Sequence, residues 1–374
     1  MARSRLFLYA SLSAAVLLAS PVSADEAPEG RRIAYALTDY AWEVYQTPDG
    51  KAECPNGFND GPREQFAALF PENGAKRTLV ETQLLRENQT WRPDTSPDVL
   101  PFREAIGAVA YGMNLDGKTD ADDFTNPDGE RGVDNQLHRA IGCIGNFRGT
   151  AGTLYQFTSK YLQQFVYDRV VIEISEVDSL INDDNVVLTS YRGSEDLMTD
   201  ATGNGFLAGG SQTVDTRWGK SFVHRFPGKI VDGVLITEPA DFTWPSTAGF
   251  EDTSIHEMRA ARFRLSLTPE RAQGMWAGYV DVEAFHVMHN KGRSTHLLSY
   301  GQQSSISLYK ALRRLADGFP DAKTGENTAI SSAIIAKFVQ VHLRHPAQEI
   351  SRDLGAPQDE KKAASAAPRS SASR

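Results

Sequence analysis

The 374-residue chain has only two cysteines, Cys54 and Cys143, and no apolar run after its first 24 residues long enough to span a bilayer. It carries no excess of positive charge. Lys and Arg total 39 against 48 Asp and Glu, for a formal charge of −9. That balance argues against nucleic acid or anionic lipid as the main partner, since both reward clustered cations. Several catalytic signatures are also missing. There is no HExxH for a zinc protease, no GxSxG elbow for a serine hydrolase, and no GxGxxG or GxxxxGK[ST] loop for a nucleotide. Gly209-Gly210-Ser211 lies in a glycine-rich stretch without the strand-to-helix context a nucleophile needs.

What is present begins with an export signal. Arg3 and Arg5 precede the apolar run Leu6 to Leu18, and Val22-Ser23-Ala24 supplies a small-residue cleavage pattern before Asp25. No cysteine follows for lipidation, and Ser4 separates the two arginines, so a Sec-like route is expected. In an oxidising compartment two cysteines predict one structural disulfide, Cys54–Cys143. A catalytic or metal-binding role for either would call for a CxxC or CxxCH context, which neither has.

The mature chain divides into three parts. Residues 25–165 read as helical with long loops, including helices over Arg31 to Tyr45, Pro62 to Phe70 and Val133 to Ile144. The last has Val133, Leu137, Ala140, Ile141 and Ile144 on one stripe. Residues 166–346 switch to period two. "VVIEIS", "NVVLTSY", "GKIVDGVLIT", "RFRLSL" and "GYVDVEAF" are strand candidates; Phe263, Leu265 and Leu267 should face inward, and Arg262, Arg264 and Ser266 outward. This pattern predicts an antiparallel, sandwich-like sheet. A terminal helical segment follows, with Ile306, Tyr309, Leu312 and Leu315 on one stripe, a second short helix over Ala329 to Ala336, and a strand over Phe338 to Leu343. The tail 347–374 is small, polar and proline-punctuated, the composition of a disordered segment. The fold class is therefore α+β.

The most unusual stretch is "NLDGKTDADDFTNPDGERGVDNQL", Asn114 to Leu137, with six aspartates and three glycines in 24 residues. Calcium takes six to eight hard oxygen ligands in flexible geometry, and such a loop supplies carboxylates, amide carbonyls and pliant backbone. The candidate ligands are Asn114, Asp116, Asp120, Asp122, Asp123, Asp128, Asp134 and Asn135. An EF-hand is ruled out, since counting from Asn114 places Lys118, Thr119 and Thr125 at positions 5, 6 and 12. The competing reading is a solvated loop of Asx-turns, with Asp128 or Asp134 capping the helix that carries Leu137. Capping leaves Asp120, Asp122 and Asp123 without an explanation.

A second cluster, "DVEAFHVMHNKGRSTH", holds Asp281, Glu283, His286, His289 and His296. As a helix it would place Glu283, His286 and His289 on one face, a usable zinc spacing; as a continuation of the strand "GYVDV" it would split the histidines between two faces. The strand reading fits its context better. Trp218, Phe222, Phe226, Trp244, Trp276 and Tyr279 are either core or a stacking surface for a ligand, with core the expected role. Asn88-Gln89-Thr90 matches a glycosylation sequon, meaningful only in a eukaryotic secretory route.

The runs "DFTNPDGERGVDNQLHRAIGC", "RLSLTPERAQGMWAGYVDV" and "ALRRLADGFPDAKTGENTAIS" resemble segments of a group of exported bacterial proteins with aspartate-rich PDG and VDNQL stretches. The likeness covers about two thirds of the chain. It implies a periplasmic or secreted bacterial location and carries no activity or catalytic residues with it. The sequence therefore predicts an exported, calcium-stabilised binding or structural protein of the envelope that meets a ligand or envelope partner. The alternative is a secreted hydrolase whose metal is held by His286, His289 and nearby acids.

Overall fold

The computed structural model describes residues 31–59, 102–149, 165–203, 205–247, 253–288 and 305–346, with the short pair Leu85–Arg86 and Gln89–Thr90 and single positions between 150 and 165. The signal segment, the helix expected over Pro62 to Phe70, Asn88 and the tail lie outside these residues.

Eight antiparallel strands close into a barrel: β1 Ile33–Trp42, β2 Val170–Ser175, β3 Asp183–Arg192, β4 His224–Val231, β5 Val234–Thr237, β6 Thr253–Leu267, β7 Arg271–Asp281 and β8 Asn327–Arg344. Each pairs with the next in chain order, and β8 returns to pair with β1 from Ala34↔Val341 to Trp42↔Ile334. The sheet expected as a sandwich is thus an up-and-down barrel, which removes the exposed edges a sandwich must protect. Short elements extend it. Ala240–Thr247 pairs with β6, Gly318–Pro320 with the start of β8, and Gly210–Thr213 runs parallel to the end of β8.

The helix expected over Arg31 to Tyr45 is strand β1. Its inward residues Tyr35, Leu37, Tyr40 and Trp42 belong to the barrel core, and a bulge lies between Leu37 and Asp39. The bulge turns a spacing of two into two, three, two, which imitates a helical stripe. Both faces of the strand are also covered, because Ala34 and Ala36 are buried on the outside. A strand from the N-terminal part therefore sits between β2 and β8, so the two halves of the chain share one sheet. The expected helix over Ala329 to Ala336 is likewise part of β8, where Ser331 and Ser332 are as buried as Ile330 and Ile334.

Inside, Phe226, Phe242, Phe263, Trp244 and Trp276 interlock, with Phe263 5.0 Å from Phe226 and Trp276 5.6 Å from Trp244 between ring centroids. On β6, Phe263, Leu265 and Leu267 face in, while Arg262, Arg264 and Ser266 face out, as their alternation predicts. An apolar interior and a charged exterior reverse the pattern of an outer-membrane barrel. Among the described residues, no helix is long and apolar enough to cross a membrane. Among the described residues, helices α1 Gln136–Ile141, α2 at 282–288 and α3 Ser305–Leu315 decorate the barrel.

Removing the indole at the centre of this core tests the packing. Trp276→Ala should cost about 3–5 kcal/mol in denaturant unfolding. Trp218→Ala, half-exposed and stacked on Arg192, should cost roughly 1 kcal/mol or less. Equal losses would contradict a core centred on Trp276.

Candidate functional site

The aspartate-rich loop is mounted on the outer face of the barrel. Met113 and Leu115 pack on Ala277 of β7 and Ala333 of β8. Two outward arginines of β6 hold it from outside. Arg262 donates to the Asn114 carbonyl at 2.9 Å, and Arg264 forks onto Glu130 at 2.6 and 2.9 Å. Inside the loop, polar side chains replace regular structure. Asn114 accepts from Gly117 N and donates to the Lys118 carbonyl, both at 2.6 Å. Gly132, at φ +75°, has no room for a side chain, because a Cβ would stand 2.3 Å from the Lys118 carbonyl oxygen.

The loop ends at α1. Asn135, rather than Asp128 or Asp134, caps this helix. Its Oδ1 accepts from His138 N at 3.2 Å, and its Nδ2 donates to the carbonyls of Glu43 and Tyr111. The helix is shorter than the stripe from Val133 to Ile144 implies. Val133 lies in the strand Arg131–Val133, paired with Phe124, and Asp134 is bridged to Met113.

The structure brings five of the eight expected ligands to one cleft. Asp116, Asp120, Asp122, Asp123 and Asp134 line a space of about 570 Å³ together with Tyr279, Arg139, Arg314, Asp317 and Asn327; among the described residues no three acids are grouped closely enough to hold a metal ion. Asn114, Asp128 and Asn135 lie off it. Asp128 accepts from Glu130 N in a turn, at 3.2 Å. Asp317 joins from the end of α3, and sequence reasoning missed it. Its only local signal is the "ADG" turn, and the contact depends on β8, where Ser331 donates its N–H at 2.7 Å and its hydroxyl at 2.5 Å.

The electrostatics of the cleft are strained in one direction. Burial pushes the Asp134 carboxyl up to about 6, and Asp116 and Asp123 add to this against the hydrogen bond from Leu115 N. Asp317 is also pushed up to about 6, by desolvation of a carboxyl facing into the cleft, with Asp122 contributing and Ser331 opposing. The residue's outer surface is open to water, which limits that desolvation. Tyr279 is raised by burial and by Asp134, Asp317 and Asp116. Among the described residues only Asp116 of these acids has an ion-pair partner, Lys118 at 2.8 Å. Arg139 lies 4.2 Å over the Phe124 ring and bonds to Gln136, Gly107 and, at 3.3 Å, the Asp122 carbonyl, with the Asp122 carboxylate acting on its charge, while Arg314 pairs with Glu104.

Compared with protein-family models, with curated proteins and with solved structures, the chain matches none.

Behind α1 the Cys54–Cys143 disulfide is formed, with the two Cα atoms 5.7 Å apart. Beside it Glu53, almost wholly buried, takes Thr47 N at 3.0 Å, the Thr47 hydroxyl at 2.6 Å and the Arg148 guanidinium. Burial would raise this carboxyl, but those hydrogen bonds outweigh it and hold it near 2. His138 is fully buried. Its Nδ1 accepts from Tyr45 N at 3.3 Å, so Nε2 carries the proton, without an acceptor.

The second cluster departs from expectation. The strand stops at Asp281, whose Oδ1 accepts from Ala284 N at 3.0 Å, and residues 282–288 are helical. The aspartate cap is the signal that should have ended the strand. Glu283 and His286 therefore share a helix face, and Tyr309 engages both, donating its hydroxyl to Glu283 and packing 4.9 Å from the His286 ring. His289 and His296 lie outside the described residues. Phe222, Phe226, Trp244 and Trp276 are core, and Trp218 is exposed.

Two measurements check the junction behind α1. Reduction, or the double change Cys54→Ala with Cys143→Ala, should lower stability by up to about 4–5 kcal/mol in the chain-entropy account. Burial holds His138 down at about 4 from 6.5. Its neutral form therefore contributes stability above pH 6.5 that is lost as pH falls towards 4. Relative to His138→Gln, the wild type should lose roughly 2–3 kcal/mol across that window. Parallel pH profiles for the two proteins would show that His138 does not titrate on unfolding.

Proposed function

We propose that the acidic cleft holds a calcium ion and that the protein is an exported, calcium-stabilised binding or structural protein of the bacterial envelope, without catalysis of its own. The observation that carries this reading is that Asp116, Asp120, Asp122, Asp123 and Asp134 line one cleft with Asp317. Hard, flexible oxygen donors around a space of this kind suit calcium better than magnesium or a transition metal. Burial first and neighbouring carboxylates second raise Asp134 and Asp317, and a bound dication would oppose both effects. The disulfide fits an oxidising compartment. A ligand or envelope partner would meet the outer surface of the barrel, since its interior is filled by the aromatic core.

Calcium that binds only the native state should stabilise it by about 2.7 kcal/mol at a hundredfold excess over Kd. Thermal melts in calcium and in chelator should therefore separate, with the calcium curve higher. Asp120→Asn with Asp122→Asn should bring the two curves together while leaving the chelator melt near the wild-type value, because among the described residues no backbone hydrogen bond rests on either side chain. Coincident wild-type melts would sink the calcium reading.

A further inference from the structure

A second site lies on a different part of the barrel wall, around Arg169, the residue before β2. Its side chain is fully buried, and none of its three guanidinium nitrogens has a hydrogen-bond partner. Burial draws it down only to about 10, with Asp196 and Asp168 opposing, so it stays cationic at neutral pH. A buried guanidinium with empty donors is costly, because each donor has given up water without a replacement. Those two carboxylates help to balance its charge, but neither accepts a hydrogen bond from it.

The cover over Arg169 is a two-armed flap, residues 193–203 and 205–215. The arms are tied by Ser194 N to the Thr213 carbonyl at 3.1 Å and by Leu207 N to the Met198 carbonyl at 2.9 Å. Gln212, fully buried, bridges them by donating to the carbonyls of Glu195 and Asp196 at 2.9 and 3.2 Å. Gly193 forms the slot through which the arginine stem passes. A Cβ there would stand 2.7 Å from Arg169 Cγ and 2.5 Å from Gln212 Oε1. The flap is fastened to the barrel by a four-residue parallel ladder from Gly210–Thr213 to Val341–Arg344, by Gly209 N and Val214 N on the Gln340 and Arg344 carbonyls, by Arg271 on the Phe206 carbonyl, by the Glu195–Arg344 pair, and by Leu197, Phe206 and Ala208 on the outer wall. Gly219, at φ +57°, follows it as a candidate hinge. At its foot Arg192 is also buried, with Nε making no hydrogen bond although it lies 3.4 Å from Asp215.

We propose that this flap is a lid and that Arg169 beneath it receives an oxyanion, a carboxylate or phosphate group, when the lid lifts. The planar fork of a guanidinium matches two such oxygens at once, and an oxyanion supplies the acceptors that the closed lid withholds. Closure over empty donors disfavours the closed state, so the lid belongs to the least stable part of the barrel wall.

Hydrogen exchange on the whole mature protein tests this, with chelator present so that the acidic cleft stays empty. In inorganic phosphate or acetate, at a concentration ten times Kd, amides of 194–214 should exchange about tenfold faster than in chloride of equal ionic strength, because an anion that binds the lifted state populates it. The two salts separate a phosphate ligand from a carboxylate. Arg169→Met should abolish the difference and slow exchange in chloride, because a buried unpaired cation has been replaced by an apolar chain of similar length. Equal exchange of 194–214 in all three salts would overturn the proposal, as would acceleration that survives in Arg169→Met. Should the variant fail to fold, the comparison of salts on the wild type still decides. It is also independent of the calcium reading, which concerns a different face of the barrel.

Discussion

The whole architecture depends on the pairing of β1 with β8. Without it the other seven strands would form an open, twisted sheet with two long edges and an uncovered aromatic face. With it, Tyr35, Leu37, Tyr40 and Trp42 become the last wall of a closed core. The register is fixed on both sides, because β1 also pairs with β2 at Ile33↔Ile174 through Ala36↔Val171. The same ladder tethers the long excursion 43–169, since β1 and β2 are neighbours and everything between them must leave and return at one seam. That is why a loop with six aspartates lies against the outside of the barrel wall rather than in a domain of its own.

The mounting of that loop explains how so many like charges are tolerated. Two of its cations come from β6, where Arg262 and Arg264 grip a carbonyl and Glu130, and at the cleft Lys118 pairs with Asp116 and Arg139 reaches the Asp122 carbonyl. Its polar side chains fold the backbone: Asn114, Asp128 and Asn135 make turns and a cap, and Asp134 supports Leu115 and Asp116. Asp116 and Asp123 also accept from the backbone, from Lys118 N and Asp120 N. Asp120 and Asp122 remain, lining the same space as Asp317, and it is on these that the calcium proposal rests.

The parts of the fold legible in the sequence were those where one face is buried and the other wet. β6 announces itself because Phe263, Leu265 and Leu267 alternate with Arg262, Arg264 and Ser266. The disulfide followed from cysteine number and compartment. Legibility failed where both faces are covered or a bulge breaks the period, as in β1 and the middle of β8; the small residues Ala34, Ala36, Ser331 and Ala333 there say nothing of direction. It failed again at Asp281, where a single cap changes strand to helix. The loop's composition pointed to the cleft, but Asp317, Tyr279 and Asn327 reach it only through the β7–β8 pairing, which no local pattern encodes. Arg169 was invisible for a related reason, since an arginine beside a strand normally reads as exposed.

A filled barrel restricts where function can reside. In a ligand-carrying barrel the interior is left open and the wall is passive; here the aromatic rings occupy the interior, so the wall itself must carry the chemistry. Two excursions from the wall do so with opposite means. The loop at 114–135 concentrates carboxylates over β7 and β8, and the flap at 193–215 encloses a guanidinium over β1 and β2. Each keeps a charge short of partners at a cost that the closed core must offset, and neither contributes to that core. Under the two proposals, stability and binding are carried by different residues, so the core can keep its rings fixed while the excursions respond to a ligand.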